Sequence, residues 1–188
     1  IYNGKKISDT LIVPDKYVYN GKEYTITETC ISVTNTTKDN HLQHSTYGFP
    51  KVLTVIYPNT VLKIYGKSIC NDESFKYYNT LVELTSMEPA TITRVVLPNR
   101  LKELGEYAFL NWSELTSMNL PSTIEKIGNG ALCGCGGIEK INIDNISEIG
   151  KYAFALTDLK EIDGIWPMEE IKAGTFDGCK KLTNLNID

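Results

Sequence analysis

Two histidines, five cysteines and a modest surplus of carboxylates are the first places to look for reaction chemistry in this 188-residue chain. His41 and His44 stand at spacing three in the polar stretch 30–50, with Asp39 and Cys30 nearby. Structural zinc asks for four ligands, usually with two closely spaced cysteines. That pattern is missing here, so solvated loop histidines are expected and no metal is assigned. Nucleophilic catalysis needs a base beside a Ser or Cys, and two histidines in one polar loop leave no evident arrangement of that kind. No GxSxG, HExxH or phosphate loop occurs. Glu169-Glu170 and Asp72-Glu73 read as solvated loop charges. The expectation is a non-enzymatic chain without a cofactor.

The cysteines point to packing instead. Cys135 and Cys179 occupy one phase of a repeat, where other units carry Trp112, Thr157 and Tyr78. Buried free Cys behaves as a small hydrophobe. Two coils apart, at the usual strand spacing, their separation would be about 10 Å. A disulfide needs Cα atoms within about 7 Å, so no bond is expected between them. Cys30 and Cys70 lie outside the regular array, and nothing in the sequence says whether they pair.

The elements behind this spacing form a repeat of about 22–23 residues. ITRVVLPNRLKELGEYAFLNWSE is followed by LTSMNLPSTIEKIGNGALCGCGG, IEKINIDNISEIGKYAFALTD and LKEIDGIWPMEEIKAGTFDGCKK, and LTNLNID opens a further unit. Leu115, Met118 and Leu120 match Ile138, Ile141 and Ile143, with the two-residue period of a strand that buries one face. Proline follows at Pro58, Pro98, Pro121 and Pro167, where a short strand can end. A second apolar set at spacing three (Leu101 and Leu104, Ile124 and Ile127, Ile146 and Ile149) runs into Gly105, Gly128 and Gly150. A glycine at fixed phase implies either a turn with positive φ or close backbone packing between coils. Lys172 takes that place in the fourth unit, so its turn should differ. Ala108-Phe109, Ala131-Leu132, Ala153-Phe154 and Thr175-Phe176 then predict a short helical or 3₁₀ turn, with Phe stacked on Phe. Units of this kind bury their apolar faces only against neighbours. The predicted fold is α/β, a right-handed β-α superhelix with a concave parallel sheet and helical turns on the convex side.

The pattern, carried most fully by Leu120 to Ile143 with Ile127-Gly128, Ala131 and Cys135, resembles the BspA-like leucine-rich repeat of bacterial surface proteins. The resemblance covers Tyr57 to Asp188 apart from one insertion. The asparagine of the animal and plant ladder is replaced by Arg100, Thr123 and Ile146. The resemblance implies a secreted or cell-surface bacterial protein. It further implies adhesion to, or recognition of, a host or neighbouring-cell macromolecule. A carbohydrate-binding module of a surface glycan-uptake system is the alternative, given Tyr47, Tyr77 and Tyr78; a structural spacer repeat is a third.

Two regions are expected. Residues 1–50 would form an N-terminal β cap with an irregular first coil. TLIVP (10–14) would be a strand, and Asn20-Gly21 the turn of a hairpin. Residues 51–188 would form the solenoid of about five units, with insertions near 66–75 and 82–91. Strand residues between the buried positions would face the concave side. The binding candidates are Arg94, Val96, Ser117, Asn119, Lys140, Asn142, Glu161, Asp163, Asn184 and Asn186, with Thr54 and Ile56 in the same rows. Trp112 is expected in the core, and Trp166 either exposed or packed. Asn35, Asn111 and Asn145 match glycosylation acceptors, which carry no expectation in a bacterial chain. The net charge of −4 and the absence of a basic stripe argue against nucleic acid. No apolar run is long enough to span a membrane. The chain opens at Ile1, so any signal peptide or anchor would lie upstream. LTNLNID would leave an open sheet edge, and so predicts a further unit or an end-to-end contact between chains.

Overall fold

The computed structural model describes residues 10–30, 54–65, 92–116 and 118–187. His41, His44, Asp39, Cys70, Tyr47, Tyr77, Tyr78, Asn35 and both expected insertions lie outside these residues, as does Ser117. The strands are β1 (Thr10–Ile12), β2 (Lys16–Tyr19), β3 (Lys22–Thr25), β4 (Glu28–Cys30), β5 (Thr54–Ile56), β6 (Lys63–Tyr65), β7 (Arg94–Val96), β8 (Glu103–Leu104), β9 (Lys126–Ile127), β10 (Lys140–Asn142), β11 (Glu148–Ile149), β12 (Glu161–Gly164) and β13 (Asn184–Ile187). Among the described residues every pairing is parallel except the hairpin β2–β3.

The first apolar set of each unit builds a major ladder in two pieces, β1-β5-β7 and β10-β12-β13. Val55, Val95, Ile141 and Ile162 point into the core, and their neighbours in each strand point out. Between the two pieces, residues 118–120 do not form a strand. The second apolar set builds a five-stranded ladder in the order β11-β9-β8-β6-β4. β1 and β4 therefore place residues 10–30 in a coil of their own, with the hairpin inserted between them. The hairpin turn has φ of 49° at Asn20 and 73° at Gly21, as its residue types require. Its strand residues are all exposed, so the hairpin itself covers none of the core.

The second ladder carries an alternating column of charge. Lys63, Glu103, Lys126 and Glu148 are register partners from coil to coil. Lys63 lies 2.6 Å from Glu103, and Glu148 takes both Lys126 (3.8 Å) and Lys172 (3.6 Å). Opposite charges directly across a ladder stabilise it and like charges do the reverse, so this column favours one stacking order.

The expected helical turns are not helices. Among the described residues the segments 106–111, 129–134, 151–156 and 173–178 are turns. Alternate amides donate to the next coil: Tyr107 to the Asn129 carbonyl (2.9 Å), Phe109 to Ala131 (2.7 Å) and Asn111 to Cys133 (2.7 Å). The pattern repeats from Gly130, Leu132 and Gly134, then from Tyr152, Phe154 and Leu156. These donors are unavailable to a helix. Positive φ recurs at two residues per turn (107 and 111, 130 and 134, 152 and 156, 174 and 178), which a right-handed helix forbids. The third ladder satisfies the turn backbone.

The core runs through the middle of the stack. Phe109, Leu132 and Phe154 are fully buried, each worth about 2 kcal/mol of transfer free energy. Phe154 stacks on Phe176 at 5.7 Å and 8°. Trp112 is buried and meets Phe109 edge-on at 5.0 Å. Trp166 is half-buried against Phe176 at 5.8 Å. Cys133, Cys135 and Cys179 are free thiols. Cys179 Sγ lies 2.9 Å from the Phe154 carbonyl and 3.4 Å from the Thr157 hydroxyl, so Thr157 separates it from Cys135 in the same column.

Candidate binding face

The outward residues of the major ladder form two rows. Register aligns Thr10, Thr54 and Arg94 in one, and Ile12, Ile56 and Val96 in the other. In the second piece the rows continue as Lys140, Glu161 and Asn184, and as Asn142, Asp163 and Asn186. The face is therefore divided. Its first half is an apolar row beside Arg94, with Ile12 56% and Val96 36% exposed. Its second half is polar throughout.

That polar half is largely occupied with itself. Lys140 reaches Asp163 at 2.6 Å and Glu161 at 3.1 Å. Hydrogen bonds to Asp163 and then Glu161 raise its pKa above the usual lysine value, so it stays charged at any physiological pH. The Asn142 side chain closes on Asp144, accepting from its backbone amide (3.0 Å) and donating to its carboxylate (3.1 Å). Arg94 is exposed and, among the described residues, has no carboxylate partner.

A cleft of about 220 Å³ opens where the two pieces of the ladder fail to join, lined by Met118, Asn119, Leu120, Lys140 and Asn142 among others. Three of the residues singled out from the sequence, Asn119, Lys140 and Asn142, meet there. Asn184 is exposed at the last strand, and Ser117 lies outside the described residues. Thr10 and Ile12 were not foreseen on this face. The signal is in the sequence: TLIVP (10–14), TVIYP (54–58) and RVVLP (94–98) share one apolar and proline pattern.

The face offers binding chemistry: apolar side chains, a guanidinium and paired amides. Among the described residues no three His, Cys, Asp or Glu side chains converge as a metal site would require, and no helix is long and apolar enough to cross a membrane.

Residues 85–188, more than half of the chain, match the BspA type leucine rich repeat region in six copies. No curated protein sequence matches the chain. Among solved structures it is similar to a leucine rich repeat protein of T. pallidum at 20% identity and a TM-score of 0.61, covering 95% of this chain and 69% of that one. A leucine-rich repeat protein of Bacteroides ovatus is similar at 24% identity and a TM-score of 0.61, over 94% of this chain and 39% of that one. At these identities the likeness concerns the fold. The chain belongs to the BspA type leucine rich repeat family.

Proposed function

We propose that this chain is a non-enzymatic protein-binding module of a secreted or cell-surface bacterial protein, and that it recognises a host or neighbouring-cell macromolecule. The partner meets the outward face of the major ladder. The supporting observation is the in-register row Ile12, Ile56 and Val96, exposed at Ile12 and Val96 and half-buried at Ile56, beside an Arg94 that has no carboxylate partner among the described residues. Exposed apolar residues gathered in one place mark interaction sites where scattered ones do not. An apolar centre flanked by one arginine also suits the few residues that dominate most interfaces. The polar half (Asn119, Lys140, Asn142, Glu161, Asp163, Asn184 and Asn186), together with Ser117, supplies the rim.

The test is surface binding of the chain to a panel of extracellular-matrix proteins at physiological salt. A saturable partner is expected, weakened about tenfold or more by Ile12→Asp or Val96→Asp. Both side chains are exposed, so thermal stability should hold. The absence of any saturable partner, or one indifferent to both substitutions, rejects this reading.

A further inference from the structure

The hairpin carries a second surface, independent of the major ladder. Register sets Tyr17 opposite Tyr24 and Tyr19 opposite Lys22. Alternation along each strand places these four on one face, with Lys16, Val18, Glu23 and Thr25 on the other. The Tyr17 and Tyr24 rings stack at 5.3 Å and 24°. The Lys22 Nζ sits 5.4 Å from the Tyr24 ring centroid. On the opposite face Lys16 and Glu23 neutralise each other at 2.7 Å. Lys22 has no carboxylate partner among the described residues.

Stability of the hairpin does not account for this face. A cross-strand aromatic pair explains Tyr17 and Tyr24, but Tyr19 is 61% exposed and covers no core residue. Size excludes a large partner. Two strands of four residues give a patch of about 13 by 10 Å, far below the roughly 800 Å² per partner of a stable protein interface. Tyrosine joins a flat apolar ring to a hydroxyl at its rim. Such a surface matches the C–H face and hydroxyls of a sugar ring. The ammonium of Lys22 adds a preference for a carboxylate.

We propose that Tyr17, Tyr19, Tyr24 and Lys22 form a binding site for an acidic glycan whose pyranose rings carry carboxylates. A pyranose ring stacks on Tyr19 beside the Tyr17–Tyr24 pair, and its carboxylate pairs with Lys22. This site does not depend on the protein-binding face, and its test leaves that face intact.

The test is native electrophoresis of the whole chain through gels containing polygalacturonate or neutral galactan. The chain carries a net charge of −4, so non-specific attraction to an acidic polymer is disfavoured and retardation reports a site. Retardation is expected in polygalacturonate and not in galactan. Tyr19→Ala should weaken it about tenfold and Lys22→Gln up to about fivefold. Lys22→Gln leaves the Tyr17–Tyr24 stack in place, which separates loss of the ligand contact from loss of the hairpin. Val18→Thr on the other face should change nothing. No retardation, retardation unchanged in both Tyr19→Ala and Lys22→Gln, or equal retardation in galactan would overturn the proposal.

Discussion

Cys133 shows how burial in the turn ladder sets a side chain's chemistry. Its thiol is fully buried beside Ala155, with Tyr107, Leu110 and Tyr152 packed around it. Loss of water, reinforced by Cys179 and Asp177, pushes its pKa from the ordinary 9.0 to about 12. The raised value means that the folded state holds this proton more tightly than the unfolded chain does. Its contribution to stability is complete below pH 9 and is lost as pH rises towards 12. Chemical denaturation measured across that window should show stability falling more steeply for the natural chain than for Cys133→Ala. Equal slopes would mean that other groups carry the alkaline transition. The same shift keeps Cys133 protonated, and so unreactive as a nucleophile, at neutral pH.

At the scale of elements, Gly128 and Gly150, two of the glycines that close the second apolar set, are contact residues. Gly105, Gly128 and Gly150 are not among the residues with positive φ. A Cβ on Gly128 would lie 2.7 Å from the Glu106 amide nitrogen, and one on Gly150 2.5 Å from the Gly128 carbonyl carbon. Backbone from the preceding coil fills the space a side chain would need. Lys172 holds this phase in the next unit, and there the second ladder ends: β11 is its last strand and Ile171 is 49% exposed. A lysine Cβ cannot approach the Gly150 backbone as glycine does, so the coil departs. Gly150→Ala is therefore expected to cost about 2–3 kcal/mol in urea unfolding, although alanine's backbone preferences are otherwise permissive. A change below about 0.5 kcal/mol, the range of ordinary surface substitutions, would show that the coils separate easily at this point.

Across the whole molecule, stacking order is written in charge as well as in apolar spacing. The column Lys63, Glu103, Lys126, Glu148 alternates in sign over successive coils, and Lys102–Glu125, Lys160–Glu139 and Lys181–Asp158 pair neighbouring coils elsewhere. Most of these pairs are solvent-exposed and Lys63–Glu103 is half-buried, so each contributes little alone; together they penalise a coil that stacks out of order. Lys126→Glu puts a third carboxylate between Glu103 and Glu148. It should lower stability by about 1 kcal/mol in dilute buffer and by much less in 1 M salt. A loss that is independent of salt would assign Lys126 a packing role through its aliphatic stem instead.

The apolar period, the Ala-Phe phase, the shared site of Cys135 and Cys179, and the Asn20-Gly21 turn are properties of residue order, and they determined the repeat, its parallel stacking and its family. They were legible because one-dimensional spacing dictates which side chains face inward. Three matters were decided only by tertiary structure. The turns are a ladder and not helices, because their amides find acceptors one coil away. Gly128 and Gly150 meet backbone about 22 residues earlier, a proximity that no local pattern reveals. The outward face divides into an apolar row and a self-paired polar half, because Ile12 joins Ile56 and Val96 only when β1 stacks on β5, and Lys140 finds Asp163 only across the next strand.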